Sequence, residues 1–574
     1  MKRTRFRNIC LLLAAILLTA SLPDAAAEPA ASSAPPFEIL LADGRAGDGA
    51  AFDRQIRGFR LPDESGYGFV IPGYWDASAL RLMLTGVGSV QIGGRSYHSG
   101  DAIALAANAR TQVLPEGREA ITIELRQTGG LPVLFLDTES GSSEAIHADK
   151  SYREPGALLM TDAEGGVLYQ GELSAIRARG NATFNYEKKP YQIKLAKSAA
   201  LAGPRKNKTW VLLANILDRA QIRTTLAMDL ARCSGAFVYT PYTQPVDLYV
   251  NGEYRGSYLL SEKQEERETR LPITDLEKAV KDLNPGLDFA GLPALGDPEY
   301  APGARKFFEL PVLPEDLTGG YLFQINVPRR YATEASAFVT SRGCVFTVQE
   351  PKYLSLTQMQ YLSALVQQLE DALFSADGVD PASGRHYTEL LDLPSFVNKY
   401  LMAEVLDDYD GQYSYFYKDA DSVDPMIYAG PVWDQDNILG VWLPQSDPTA
   451  IRLSAGQEQI FDWFWLTQAS RHAEFMAAAQ EAYLHTYRPA ILILLGQEKD
   501  PQGILRSIDE YAAEVRVSAE TDFFRWPFPF SPELERYNVE TGDSFDGQIA
   551  FLKDYLSVRL GALDAFFLGE ERPD

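Results

Sequence analysis

The chain has 574 residues, 46% of them hydrophobic, and its 78 acidic against 53 basic residues leave a net charge of −25. This length allows roughly two to four domains with a core that needs no staples, and the composition excludes wholesale disorder and a collagen-like chain. The acidic balance argues against a generic nucleic-acid or anionic-membrane binder; five scattered histidines without H-E-x-x-H spacing argue against a zincin, and three cysteines exclude a disulfide scaffold.

Lys2, Arg3, Arg5 and Arg7 precede an apolar run over 9–20, and Ala25-Ala26-Ala27 fits a small-residue cleavage site. This predicts a signal peptide over 1–27 and a secreted or extracytoplasmic, cell-surface protein. The alternative is an uncleaved anchor, for which the run is short. No later stretch has the length of a membrane span. Residues 28–36 read as a Pro/Ala/Ser linker. Short alternating runs with Gly-rich turns over 37–130 predict a small all-β sandwich. From Leu131 come hairpin-like strands, a helix-periodic stretch over 219–232, and a hairpin turning at Asn251-Gly252. After about Leu354 the pattern is mostly helical, over 356–373, 393–405, 472–484 and 547–567. A β-rich part thus precedes an α-rich part. Cys233 and Cys344 either pair or stay free and buried. The aromatic runs 461–466 and 523–530 read as core of the helical part or as the lining of an acceptor groove.

Two opposite charge islands interrupt this order. Between Arg177 and Trp210 lie nine basic residues and one acid, Glu187; between Glu404 and Asn437 lie nine acids and one base, Lys418. Either run could be a plain solvated face. Taken together, a cationic island suits a polyphosphate, and carboxylates without His or Cys suit a hard cation such as Mg²⁺ or Mn²⁺. Phosphoryl transfer from a metal–nucleotide needs both. In the first island Gly180 can bring backbone N–H groups close to a phosphate, with Asn181 and Thr183 beside it, and Lys194 sits in a strand about one hairpin later. In the second, Asp434 and Asp436 are two apart and share a face if extended, flanked by Pro431 and Trp433. A turn with a helix cap at Asp436 or Asn437 is the competing reading.

Four stretches, 177–195 (RARGNATFNYEKKPYQIKL), 210–232, 246–263 and 400–436 (ending GPVWDQD), resemble the CotH family of atypical protein kinases in order and spacing. The resemblance covers roughly 131–570. It implies an α+β, protein-kinase-like fold with a β-rich N-lobe and an α-rich C-lobe. It further implies ATP and Mg²⁺ or Mn²⁺ as cofactors and transfer to Ser or Thr of secreted, coat or surface proteins, with no nucleic-acid partner. By position it gives Asp410 the catalytic role and Arg179, Gly180, Asn181, Lys189 and Lys194 the nucleotide, with Lys194 as the phosphate-holding strand lysine. It gives Asp434 and Asp436 the metal. Departures are the Gln435 inside W-D-x-D and a helix without a glutamate to pair Lys194, for which Asp218, Asp229 or Glu262 could substitute. These leave open a non-catalytic, binding-only surface protein. A glycoside hydrolase using paired carboxylates, with Trp433 and Trp442 stacking sugar, would leave the basic island unexplained.

Overall fold

In the computed structural model, residues 37–264, 270–408, 411, 414–441, 447–454, 465–527 and 544–569 are described. The architecture is mixed α+β. Its centre is a ring of seven strands: Val133–Thr138, Glu154–Thr161, Val167–Ala178, Tyr191–Ala199, Asn207–Leu213, Glu253–Glu262 and Thr243–Val250. The ring closes where Asn207–Leu213 pairs with Glu253–Glu262, Trp210 opposite Glu262 and Leu213 opposite Leu259. Because successive strand side chains point to opposite faces, Tyr191, Ile193, Leu195, Trp210, Leu212, Tyr258 and Leu260 fill the interior. Gln192 and Lys194 are left on the outside. The turn at Asn251-Gly252 has φ of 51° and 81°, as a tight two-residue hairpin requires. A Cβ on Gly252 would also come within 2.4 Å of the Gln55 carbonyl oxygen.

That close approach belongs to the N-terminal strands. Gln55–Arg57, Glu38–Asp43, Leu80–Thr85 and Ala102–Ile103 continue the barrel's own sheet, with Arg57 opposite Glu253. A second, six-stranded sheet built within residues 59–127 accompanies them. The apolar core they share, including Leu41, Ile56, Phe69 and Ile71, also takes in Phe135, Leu159, Tyr249 and Tyr254. The boundary expected near 131 is therefore crossed by both a sheet and a core.

The remaining chain builds a seven-stranded sheet, running from Leu295–Gly296 at one edge through Tyr321–Asn326 and Tyr415–Lys418 to Ile427–Ala429 at the other. Helices Leu356–Phe374, Leu393–Val405 and Phe545–Leu568 contribute to one large core with it. Trp465 and Leu466 are buried there, as is Cys344, and both described cysteines are free. Residues 461–464 and 528–530 of the aromatic runs, like the signal segment 1–27 and the linker 28–36, lie outside the described residues. No described helix is long and apolar enough to cross a membrane.

Helix Ile508–Arg525 reaches back from the α-rich part to the barrel. Its Asp522 forms a buried ion pair with Lys188 at 2.7 Å and accepts from the Ser257 backbone N–H at 3.0 Å. Its Ser518 hydroxyl donates to Asp247 at 2.7 Å. Tyr254 donates to the other Asp247 oxygen at 2.9 Å. Burial pushes the Asp247 carboxyl up to about 7, with Asp522 adding to the rise and Lys188 opposing it. The folded chain thus holds a proton that the unfolded chain, with an ordinary aspartate near about 3.9, releases. Stability from this group is complete below about pH 4 and is lost as pH rises through about 7. Urea midpoints should therefore fall across that window, by an upper figure on the order of 4 kcal/mol, and Asp247→Asn should flatten the fall. An unchanged pH profile in the variant would assign the titration to another group.

Candidate functional site

An open cleft lies between the outer wall of the barrel and the α-rich part. The barrel side contributes Arg179, Thr183, Pro190 and the strand-end residues Leu213–Ile216; the other side contributes Thr224, Met228 and the run Trp433–Asp436. Arg179 follows the end of strand Val167–Ala178, its backbone N–H donating to the Pro190 carbonyl at 2.9 Å. Its guanidinium lies over the Trp433 ring at 5.8 Å. Burial lowers its hold on the proton and Asp434 restores part of it. A half-buried cation facing an exposed carboxylate leaves both charges within reach of a ligand in the cleft.

The loop after Arg179 turns on Gly180, at φ +100°, where a Cβ would meet Thr183 Oγ1 at 2.2 Å. Only glycine accepts both conditions. Asn181 accepts from the Lys150 ammonium at 3.1 Å. Lys189 donates to the Phe184 carbonyl at 2.6 Å and sits over the Phe184 ring. Both therefore brace the loop that carries Arg179 and Thr183 into the cleft.

The acidic wall is fixed at many points. Gly430 donates to the Tyr415 carbonyl at 2.8 Å, and Gln264 donates to the Val432 carbonyl at 3.1 Å. Gln435, the residue inside W-D-x-D, is buried and donates to Asp408 at 2.8 Å. Leu439 donates to the Leu406 carbonyl at 2.8 Å. The buried Arg223 guanidinium pairs with Asp218 at 2.8 Å and donates to the Ile438 carbonyl at 2.9 Å and the Leu439 carbonyl. Asp434 takes φ 60° and Asn215, across the cleft, φ 50°. Asp and Asn tolerate this left-handed region better than other non-glycine residues. Asp434 is thus a locally strained residue on a backbone that hydrogen bonds fix on either side.

Of the residues expected from the sequence, Arg179, Asp434 and Asp436 come together in the cleft; Gly180, Asn181 and Lys189 belong to the adjoining loop and are not among the residues that line it. Lys194 does not join them. It is exposed on the outside of the barrel, four residues along the strand from Pro190, or about 13 Å at the usual rise. The three acids considered as its partners are engaged elsewhere: Asp218 with Arg223, Asp229 with Arg232 and Tyr511, and Glu262 with Arg205. Asp410 and Trp442 lie outside the described residues. Most of the two charge islands disperses in space. Arg205 and Lys188 are spent on ion pairs, and Glu404 and Asp407 are buried against Arg559 and Arg452. The lining residues missed from sequence are Pro190, Thr224 and the stretch Leu213–Ile216 with Met228, mostly apolar and without a chemical signature.

Among the described residues no group of three or more His, Cys, Asp or Glu side chains forms a metal cage. The donor set at Asp434 and Asp436 is instead two hard oxygen ligands. That fits Mg²⁺ or Mn²⁺, which is commonly held by one or two carboxylates together with substrate phosphates. No curated protein matches the chain. The family model described as CotH kinase protein matches residues 176–563, a span that contains the barrel strands from Tyr191 onward, the cleft and most of the helical part. The chain therefore belongs to the CotH family.

Proposed function

We propose that this chain is an extracytoplasmic protein kinase, built as two kinase-like lobes, that binds ATP with Mg²⁺ or Mn²⁺ in the cleft and phosphorylates Ser or Thr of secreted, coat or surface proteins. The observation that carries this reading is the convergence of the half-buried Arg179 with Asp434 and Asp436 between the two halves of a chain of the CotH family. Arg179 would meet phosphate oxygens, and the apolar Leu213, Ala214 and Ile216 beside Asn215 suit a base and sugar. Asp434 and Asp436 would hold the cation, whose contribution is to neutralise charge on the phosphates. In the transfer the acceptor hydroxyl oxygen bonds to the γ-phosphorus as the bond to the ADP oxygen breaks. The hydroxyl proton leaves to a carboxylate, the role the family resemblance gives to Asp410.

The exposed Lys194 favours a second reading, a binding-only relative. The two are separated by incubating the full chain with Mg²⁺ and γ-labelled ATP and counting label on the chain and on a Ser/Thr-rich acceptor. Labelled protein supports the kinase. Thermal stabilisation by Mg²⁺–ATP without label supports the binding-only form, and neither signal overturns both. Lys194→Ala should change stability by less than about 0.5 kcal/mol, as exposed positions do, and leave the nucleotide-induced shift intact. Arg179→Ala should remove most of that shift. Thermal melts of both variants with and without Mg²⁺–ATP check this, and the reverse order would restore Lys194 to the nucleotide site.

A further inference from the structure

Four cations stand together beside the cleft, drawn from three separate segments of the chain. Lys150 and Arg153 follow the short helix Glu144–Ala148, Arg177 lies on strand Val167–Ala178, and Arg330 lies in helix Arg329–Thr333, which follows the strand that pairs with Tyr415–Lys418. Lys150 and Arg153 are exposed, and Arg177 and Arg330 are half-buried.

In a chain with 78 acidic residues, two of these cations hold neutral partners. Lys150 donates to the Asn181 side-chain oxygen at 3.1 Å, and Arg177 to the Gln192 side-chain oxygen at 3.1 Å. Arg330 also pairs with Glu334 at 3.5 Å. Burial, then the field of Arg330, Arg177 and Arg179, lowers the Lys150 ammonium from its ordinary range. Arg153 likewise acts on Arg177. Mutual repulsion among cations is a cost in the free protein that an anion would relieve. Arg179, which leads from Arg177 into the cleft, places this surface next to the point where transfer would occur.

Resting on the kinase reading, we propose that Lys150, Arg153, Arg177 and Arg330 form the acceptor-docking surface and select a short acidic stretch of polypeptide flanking the hydroxyl to be phosphorylated. A short stretch is favoured over an extended polyanion because the chain as a whole carries −25 and repels a long one. The cations lie outside the residues that line the cleft, so the surface can read the acceptor without belonging to the nucleotide pocket.

The test uses the full chain and three fluorescent Ser-containing peptides of equal length, flanked by Glu/Asp, by Gln/Asn or by Lys/Arg. Binding is followed by anisotropy, with Mg²⁺–ATP stabilisation measured in parallel. The acidic peptide should bind at least tenfold tighter than the other two and weaken as salt rises. Lys150→Glu/Arg330→Glu should cost that peptide at least tenfold, while a reversal elsewhere on the barrel, Lys208→Glu, changes nothing. In all of these the Mg²⁺–ATP shift should persist. Peptides that bind regardless of charge, or a double reversal without effect, overturn the docking surface and leave the kinase reading standing. A double reversal that abolishes the Mg²⁺–ATP shift and spares the peptide also overturns it, by assigning the cations to the nucleotide. Charge-selective peptide binding without any nucleotide shift in the unmodified chain keeps the docking surface and sinks the kinase reading.

Discussion

Asp434→Asn should remove nearly all of the stabilisation that Mg²⁺–ATP confers on the full chain. Free ligand at 100 times its dissociation constant stabilises a protein by about 2.7 kcal/mol. If losing one of two metal carboxylates weakens the complex about 100-fold, the same ligand concentration leaves only about 0.4 kcal/mol. Asparagine is the informative substitution, because it also tolerates the left-handed backbone at φ 60° and keeps the shape of the side chain. Stability without ligand should stay within about 0.5 kcal/mol, since Asp434 is exposed. Calorimetric titration and ligand-dependent melts read both quantities. A full shift in the variant would take the metal away from Asp434. A collapse of ligand-free stability would make the residue structural.

Lys188→Met should cost about 3–5 kcal/mol of stability, the usual result of leaving one partner of a buried ion pair without the other. Burial pushes the Lys188 ammonium down while Asp522 pulls it back up, and its second bond is to the Ser257 carbonyl at 2.8 Å. Asp522 also accepts from Gln221 at 3.1 Å, so one carboxylate joins the barrel, the segment before helix Arg223–Ser234 and the helix Ile508–Arg525. Adding Asp522→Asn to Lys188→Met should recover much of the loss, because no uncompensated charge then remains inside and the amide oxygen can still accept. Urea unfolding of both variants, treated as a double-mutant cycle, checks this. A loss below about 1 kcal/mol in the single variant would mean that the helix is held by apolar contacts alone.

Local signals carried much of the secondary structure. Helix 393–405 was legible in its apolar spacing, and the Asn251-Gly252 hairpin in its turn residues, since each depends on neighbours in sequence. Barrel closure was not legible. It depends on Asn207–Leu213 meeting Glu253–Glu262 across the ring, and alternation within a strand says which side chains share a face but not which strand lies alongside. The same gap explains Lys194. Alternation puts Lys194 on the face opposite Ile193, but whether that face meets the cleft depends on closure and on distance along the strand. Asp434 and Asp436 were legible because their setting of Gly, Pro and Trp is local. The basic island misled because nearness in sequence is not nearness in space. Arg177 and Arg179 find Lys150 and Arg330, while Lys188 and Arg205 turn to Asp522 and Glu262.

The central claim is that the cleft holds a metal-bound nucleotide between Arg179 and the Asp434–Asp436 pair. A crystal of the full chain soaked with Mn²⁺ and ATP tests it most directly through the manganese anomalous signal. The expected result is a peak ligated by carboxylate oxygens of Asp434 and Asp436, with phosphate density against the Arg179 guanidinium and none near Lys194. Manganese bound elsewhere, or phosphates seated on the outer barrel face at Lys194, would contradict it.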